Sequence, residues 1–230
     1  MCTVVVSRAA TGPVLLLALR DELTGRPFDD PGTWWPEQPG VVGGRDRQAG
    51  GTWCASDPAT GATALVLNRG QRRVAAPGAP SRGVLPLLAL QHGEDWPSHV
   101  ALDGMASSAL VLATPGGAVL WEHDGERLRR TDLPQGVHLV TSGGDEDGKA
   151  ERHLAAFAAR PTADAWQALV TGSQPQDDPT ALLVRHEQDG RTYATVFGQV
   201  IEAAPGRLRL WCSRTPSDAA TWSEQVWPRG

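Results

Sequence analysis

The chain lacks most of the features that announce a compartment, a metal or a nucleic-acid partner. Only three of its 230 residues are cysteine. Cys2, Cys54 and Cys212 are spaced too widely and irregularly for a zinc or disulfide framework, so they read as free thiols in a reducing compartment. No apolar run approaches the roughly 18 residues of a membrane span. The apolar stretches 4–6 and 14–19 are interrupted by Ser7-Arg8-Ala9-Ala10-Thr11-Gly12-Pro13, whereas a secretory signal needs a basic start and a longer apolar core. A cytoplasmic protein is expected. Dense basic stretches are also missing. The formal net charge is −5, and the nearest clusters, Arg69 with Arg72-Arg73 and Arg127 with Arg129-Arg130, are too sparse to track a phosphate backbone. Nucleic acid is therefore not an expected partner. The histidines, at 92, 99, 123, 138, 153 and 186, show no metal-ligand spacing and no i, i+4 pair on a helix. No metal or cofactor is expected, and the spacing gives haem no support.

What the chain does have is enough apolar sequence for one sizeable core, at 40% hydrophobic and 20% charged, with no linker-like stretch dividing it. Residues 1–230 read as a single domain. Nine tryptophans stand against three phenylalanines and one tyrosine. Trp34, Trp35 and Trp53 fall near the N-terminal features described below, where either ordinary packing or cover for a ligand explains them.

Residues 2–6 and 14–20 are Val- and Leu-rich and separated by Thr11-Gly12-Pro13, which predicts two strands joined by a tight connection. Val14–Leu19 hardly alternates, as expected of a central strand covered on both faces. Residues 24–40, dense in Pro, Gly and Asp, predict an ordered loop. Short strands follow at 41–46, 50–55 and 63–68, the last two as a hairpin turning at Asp57–Gly61. Ser81 is a candidate N-cap for a helix over 82–90, with Pro86 awkwardly inside it. A second helical piece is expected over 94–103. Strands are then predicted at 109–113, 118–123 and 136–141, with 126–131 pairing alongside. The acidic stretch 142–148 reads as a solvated loop. Helices are expected over 149–159 and from Pro161, with Trp166, Leu169 and Val170 on one face. Strands at 181–186, 192–201 and 207–213 complete the chain before a polar tail over 215–230. One α+β architecture that accommodates this order is a four-layer αββα sandwich of two antiparallel sheets with helices outside.

Three places could carry chemistry. Cys2 follows the initiator methionine, so removal of Met1 would give one residue both a thiol and a free α-amine, with unperturbed pKa values of about 8.5 and about 8. That is a self-contained acyl-transfer centre, although a small buried hydrophobe at a strand start is the plainer reading. Arg20-Asp21-Glu22 end an apolar run, where three charges are costly to bury unless paired or facing a site. On a strand Arg20 and Glu22 share a face and Asp21 points the other way. Arg20 could hold a substrate carboxylate or a Cys2 thiolate, Asp21 could orient the ammonium, and a strand-end ion pair is the alternative. Asn68, at a predicted strand end, offers an amide donor of the kind used in oxyanion holes.

The opening Met-Cys-Thr, Leu19-Arg20-Asp21-Glu22 followed by Arg26-Pro27, Gly50-Gly51-Thr52-Trp53, Asn68 and Ser81-Arg82-Gly83 together resemble the NRDE family, also called the transport and Golgi organisation protein 2 family. Tyr193-Ala194-Thr195 looks like that family's Tyr-Gly-Thr segment. The resemblance implies an N-terminal-nucleophile (Ntn) hydrolase-like fold. The start is also similar to cysteine Ntn amidases such as penicillin V acylase and bile-salt hydrolase, which implies that Cys2, Arg20 and Asp21 form a catalytic set acting on a non-peptide C–N bond, with Asn68 beside them. Glu22, Arg26, Trp34, Trp35, Trp53 and Arg82 are then expected to line the pocket of a small apolar or acyl-bearing molecule. A non-catalytic binder or trafficking protein for a lipid, acyl-CoA or haem is the alternative that the family implies. Three positions depart from the family pattern: Leu19 replaces Asn, Gly143 follows Ser142 where Asn is usual, and Val196-Phe197-Gly198 replaces Arg-Ser-Ser.

Overall fold

The Val14–Leu19 run lies within β2 (Val14–Leu23), which pairs antiparallel with β1 (Thr3–Arg8) on one side and with the long β12 (Arg191–Ala204) on the other. The structure is a computed structural model and describes residues 2–9, 12–70, 75–144 and 148–228. Met1, Arg72-Arg73, Asp145-Glu146-Asp147 and the last two residues of the tail lie outside the described residues. β10 (Gly136–Thr141) flanks β1, and β13 (Arg207–Ser213) and β14 (Ser223–Trp227) continue beyond β12, which also pairs with β11 (Arg185–Gln188). The second sheet runs in sequence order through β3 (Phe28–Gly32), β4 (Val42–Asp46), β5 (Cys54–Asp57), β6 (Ala62–Asn68), β7 (Ser108–Thr114), β8 (Gly117–His123) and β9 (Leu128–Leu133). All these pairings are antiparallel.

Alternation along each strand sorts its side chains into layers. Val4, Val6, Leu16 and Ala18 meet Cys54, Leu65, Leu67 and Val111 between the sheets. Val5, Leu15, Leu17 and Leu19 point the other way, onto Phe157, Trp166 and Val170 of α2 (Lys149–Ala159) and α3 (Ala163–Thr171). This is why the run does not alternate in hydrophobicity: both faces of β2 are covered. Leu85 and Ala89 of α1 (Leu85–His92) cover the far face of the second sheet with Trp96 and Met105. The layers are therefore α, β, β, α, as the sequence led us to expect.

Several boundaries differ from expectation. Ser81 caps a short 3-10 turn over Arg82–Val84, its hydroxyl accepting from Gly83 N–H, and α1 starts only at Leu85. Pro86 then sits in the first turn, where its missing N–H would have no intrahelical partner. The second helical piece is a 3-10 turn over Gly93–His99. The expected 24–40 loop contains β3, an edge strand pairing only with β4 and irregular in register between Asp29 and Gly32, a placement that tolerates Pro31. The strand expected over 50–55 begins at Cys54, and only Arg185–Gln188 of the 181–188 region forms a strand. The tail carries a 3-10 turn over Ala219–Thr221 and the edge strand β14.

Candidate active site

Cys2 continues β1 by one residue, and its backbone is held by the residue after β10. Cys2 N–H donates to Ser142 Oγ at 2.9 Å, and Ser142 N–H donates to Cys2 O at 3.1 Å. Even parity along β1 turns the half-buried thiol to the side shared with Val4 and Val6, at the edge of the inter-sheet core. Its Sγ lies 3.7 Å from the Asp21 carbonyl oxygen. Burial pushes the thiol pKa up, the neighbouring Asp21 carboxylate adds to this, and the Arg20 guanidinium pulls it down.

Arg20 and Asp21 are consecutive yet serve opposite faces of the sheet, and a β-bulge in β12 makes both possible. Thr195 is the register partner of Asp21 and Phe197 that of Arg20, so Val196 is the extra residue. Without that insertion Thr195 and Phe197 would share one face. With it, Phe197 packs between the sheets while Thr195 Oγ1 donates to Asp21 Oδ1 at 2.6 Å on the other side. Asp21 there also feels the ammonium of Lys149, a residue with no exposed surface whose Nζ donates to Thr3 Oγ1 at 3.0 Å. Burial raises the Asp21 pKa, and Lys149 and the Thr195 hydroxyl oppose the rise.

On the inner face Arg20, 4% exposed, is clamped by charge and by rings. Its Cζ lies 4.6 Å from the Trp53 ring centroid and 5.0 Å from that of Phe28. Its Nη2 lies 3.3 Å from Asp46 Oδ2 and 3.6 Å from Glu22 Oε2. Asp46 divides its carboxylate between two tasks. Oδ1 accepts from Gln48 and Ala49 N–H, fixing the turn after β4, while Oδ2 faces both Arg20 and Arg26, the latter at 2.6 Å. These bonds hold the Asp46 pKa below the usual carboxylate range against the opposing effect of burial.

The wall opposite Arg20 is formed by two of the short segments singled out in the sequence. Thr52 N–H donates to Gly83 O at 2.8 Å, and a Cβ on Gly51 would fall 2.5 Å from the Gly83 carbonyl. Gly50-Gly51-Thr52-Trp53 and Ser81-Arg82-Gly83 are thus in backbone contact, and glycine at 51 is what allows the approach. Gly44 plays the same part for Trp53, whose ring would lie 2.3 Å from a Cβ there. Arg82 turns from this wall toward the second sheet, donating from Nη1 to Ser107 O at 2.9 Å.

Cys2, Arg20, Asp21, Asn68, Glu22, Arg26, Trp53 and Arg82 all line one cavity of about 200 Å³. Trp34 and Trp35 do not. Trp34 is on the surface, donating to Asp30 O and lying under Arg45, whereas Trp35 is buried with Val41, Ala55 and Leu87 and donates to Gly50 O. They follow the edge strand β3 on the side away from the cavity, which sequence proximity could not reveal. Sequence reasoning missed Asp46, Thr52 and Ser142, although Ser142 stood in a segment marked as departing from the family pattern. It also missed Lys149 and Thr195, which act from the other face of the sheet. A lysine opening an apolar-faced helix was the available signal for Lys149. The departures at 19 and 196 are explained by packing: Leu19 faces the helices and Val196 is the bulge residue. Gly143 lies with Ser142 in the wall of a separate cavity of about 520 Å³, lined also by Arg69, Glu122 and Arg129.

Comparison with known proteins matches residues 1–108 to the family described as Transport and Golgi organisation 2. Those residues, just under half of the chain, resemble that family. They include Cys2, the Arg20–Glu22 cluster, the Gly51–Gly83 contact and all the remaining lining residues of the Cys2 cavity. No curated protein matches the chain. Among solved structures, a Caenorhabditis elegans N-acylethanolamine-hydrolyzing acid amidase ortholog aligns over 99% of this chain and 100% of its own, with TM-score 0.52 and 11% identity. Penicillin V acylase from Agrobacterium tumefaciens aligns over 98% of this chain and 85% of its own, with TM-score 0.51 and 13% identity. At such identities the likeness is one of fold, and the fold is Ntn-hydrolase-like. No helix among the described residues is long and apolar enough to cross a membrane.

Proposed function

We propose that the protein is a cysteine Ntn-type hydrolase acting on a non-peptide C–N amide bond, with Cys2 as nucleophile. The observation that carries this reading is the convergence on Cys2: its thiol opens into a cavity lined by Arg20, Asp21 and Asn68, and its backbone nitrogen is held 2.9 Å from Ser142 Oγ. The reading requires Cys2 to be the first residue of the working protein. Its nitrogen is then an amine near neutral pKa, able to take the thiol proton as Sγ attacks the amide carbon. The raised thiol pKa fits this division of labour, because a thiol that stays protonated at rest needs a base at the moment of attack. Arg20 and the Asn68 amide stabilise negative charge as it develops at sulfur and at the carbonyl oxygen. Collapse breaks the C–N bond, the proton passes to the leaving amine, and water hydrolyses the thioester to regenerate the thiol and release a carboxylic acid. Asp21, held by Thr195 and Lys149, orients the ammonium formed in between.

The test combines intact mass with a panel of chromogenic non-peptide amides. Active protein should begin at Cys2, Cys2→Ala should lose all turnover, and an acyl adduct should form on the wild-type chain and not on the variant. Retained Met1 in fully active material, or turnover surviving in Cys2→Ala, would sink the reading. Ligand binding without any turnover would instead place the protein among binders that use the same pocket.

A further inference from the structure

The arginines that line the Cys2 cavity differ in what holds them. Arg20 is 4% exposed, its Nη2 faces Asp46 and Glu22 and its Nη1 is buried, so it acts on the site through its field and not by contact. Arg26 is spent on Asp46 at 2.6 Å and lies 3.7 Å from Glu22. Arg82 is half-buried and makes no ion pair among the described residues. Its guanidinium is tethered by Nη1 to Ser107 O at 2.9 Å, and that carbonyl also accepts from Arg69 N–H at 3.2 Å, beside the pairing of Asn68 with Ser108. The tether therefore fixes the cation next to the end of β6, where Asn68 lines the same cavity as Cys2. A guanidinium carries several N–H donors in a rigid fork, so one tether leaves others available. The backbone beneath it is fixed as well, by the Ser81 cap on Gly83 N–H and by the Thr52 N–H bond to Gly83 O. Burial pulls the Arg82 pKa down, and the Cys2 thiolate leads the charges that push it back up, ahead of Glu22. Arg82 stays a cation at neutral pH.

We infer that Arg82 is a further catalytic residue of this site, donating with the Asn68 amide to the oxyanion that forms when Cys2 Sγ attacks an amide carbonyl. This rests on the hydrolase reading and deepens it by naming the charged donor that touches the reacting oxygen. As the S–C bond forms, the π pair of the carbonyl moves onto oxygen and the thiol proton passes to the Cys2 α-amine. A cation already held in place meets that charge without reorganising. Collapse returns the pair to the carbonyl, the C–N bond breaks, and the amine leaves with the proton.

The experiment compares Arg82→Gln, Arg82→Lys and Arg82→Ala with the wild-type full chain, on the p-nitroanilide that the wild type cleaves fastest. Arg82→Gln should lose about 10²–10³ in kcat with KM changed by about twofold or less, the pattern of a donor engaged only in the transition state, and Arg82→Lys should keep part of the rate. Millimolar guanidinium chloride should restore part of the Arg82→Ala rate where sodium chloride at the same ionic strength does not. A rise in KM at unchanged kcat, or a rate loss that guanidinium does not rescue, would overturn the assignment and leave the hydrolase reading standing. A second readout needs no turnover. Iodoacetate and iodoacetamide alkylate the same thiolate and differ in charge, so the ratio of their rates at Cys2 reports a cation facing it. Arg82→Gln should lower that ratio by about threefold to tenfold, whereas a merely structural loss slows both reagents alike. If the wild-type chain cleaves no anilide, the hydrolase reading falls and the oxyanion role with it. The ratio then decides whether Arg82 faces Cys2: a lowered ratio keeps that pairing and an unchanged one overturns it.

Discussion

Replacing Lys149 with methionine keeps the aliphatic stem and removes a fully buried charge from beside Asp21. Breaking a buried pair by taking one partner costs about 3–5 kcal/mol, because the other charge is left uncompensated. The cost has a ceiling, since Asp21 can take a proton instead. Protonating a carboxyl of ordinary pKa at pH 7 costs about 4 kcal/mol. We expect Lys149→Met to lose about 3–4 kcal/mol at pH 7, and to recover stability as the solution is acidified. The sign follows from linkage. A carboxyl whose folded pKa is raised binds more protons folded than unfolded between its two pKa values, so its contribution to stability is fully present below the unfolded pKa and is lost as pH rises from there through the folded pKa. Burial already raises the Asp21 pKa in the native protein, and Lys149 opposes that rise, so the variant should show the steeper dependence. Urea denaturation at pH 5, 6 and 7 measures it. Adding Asp21→Asn should restore most of the loss and abolish the extra pH slope. A double variant as unstable as the sum of the single ones, or a Lys149→Met pH slope equal to that of the native protein, would refute the pairing.

The wall of the cavity should be sensitive to one methyl group at one glycine and tolerant at its neighbour. Gly51→Ala drives a Cβ to 2.5 Å from the Gly83 carbonyl and should cost about 1–3 kcal/mol with loss of Cys2 reactivity, whereas Gly83→Ala, with its nearest contact at 3.1 Å, should cost less, both read by thermal shift. Trp53→Ala removes a ring that packs on Arg20, Phe28 and Phe197 and should cost about 2–3 kcal/mol while changing the iodoacetamide labelling rate of Cys2. Trp34→Ala, on the surface, should cost about 1 kcal/mol or less and leave that rate unchanged. Deleting Val196 removes the bulge and puts Thr195 or Phe197 on the wrong face, so it should yield no soluble folded protein, whereas Val196→Ala should fold with a loss of about 1 kcal/mol. Circular dichroism and gel filtration of the two proteins distinguish these outcomes.

The layers were legible in the sequence because they rest on patterns with a local cause. The unalternating Val14–Leu19 run pointed to a strand covered on both faces, and the Asp57–Gly61 segment between two apolar runs pointed to a turn, with Gly61 at φ +72° in the structure. Cys2, Arg20 and Asn68 were legible as chemistry-bearing residues at strand ends, and their meeting follows from antiparallel pairing within each sheet and from stacking of the two. What could not be read is of a different kind. Asp46 is one acidic residue among many, the last of β4, and it joins the site only because β4 ends opposite β2. Trp34 and Trp35 looked closer to Cys2 than they are, since the edge strand β3 carries the chain away. The alternation of Arg20 and Asp21 gave the most information and was the most easily misjudged. It implied that the two could not serve one pocket from the same face, and they do not: Arg20 acts from between the sheets, and Asp21 reaches Cys2 with its carbonyl while its carboxylate is anchored behind the sheet. A bulge of one residue in a partner strand, beside a Thr195 that lies 174 positions after Asp21, reconciles the two faces. One of the positions at which the sequence departs from the family pattern, Val196, is therefore also the position that sets the geometry around Asp21. Its replacement by a polar residue would have to satisfy that residue's hydrogen bonds against the inter-sheet core.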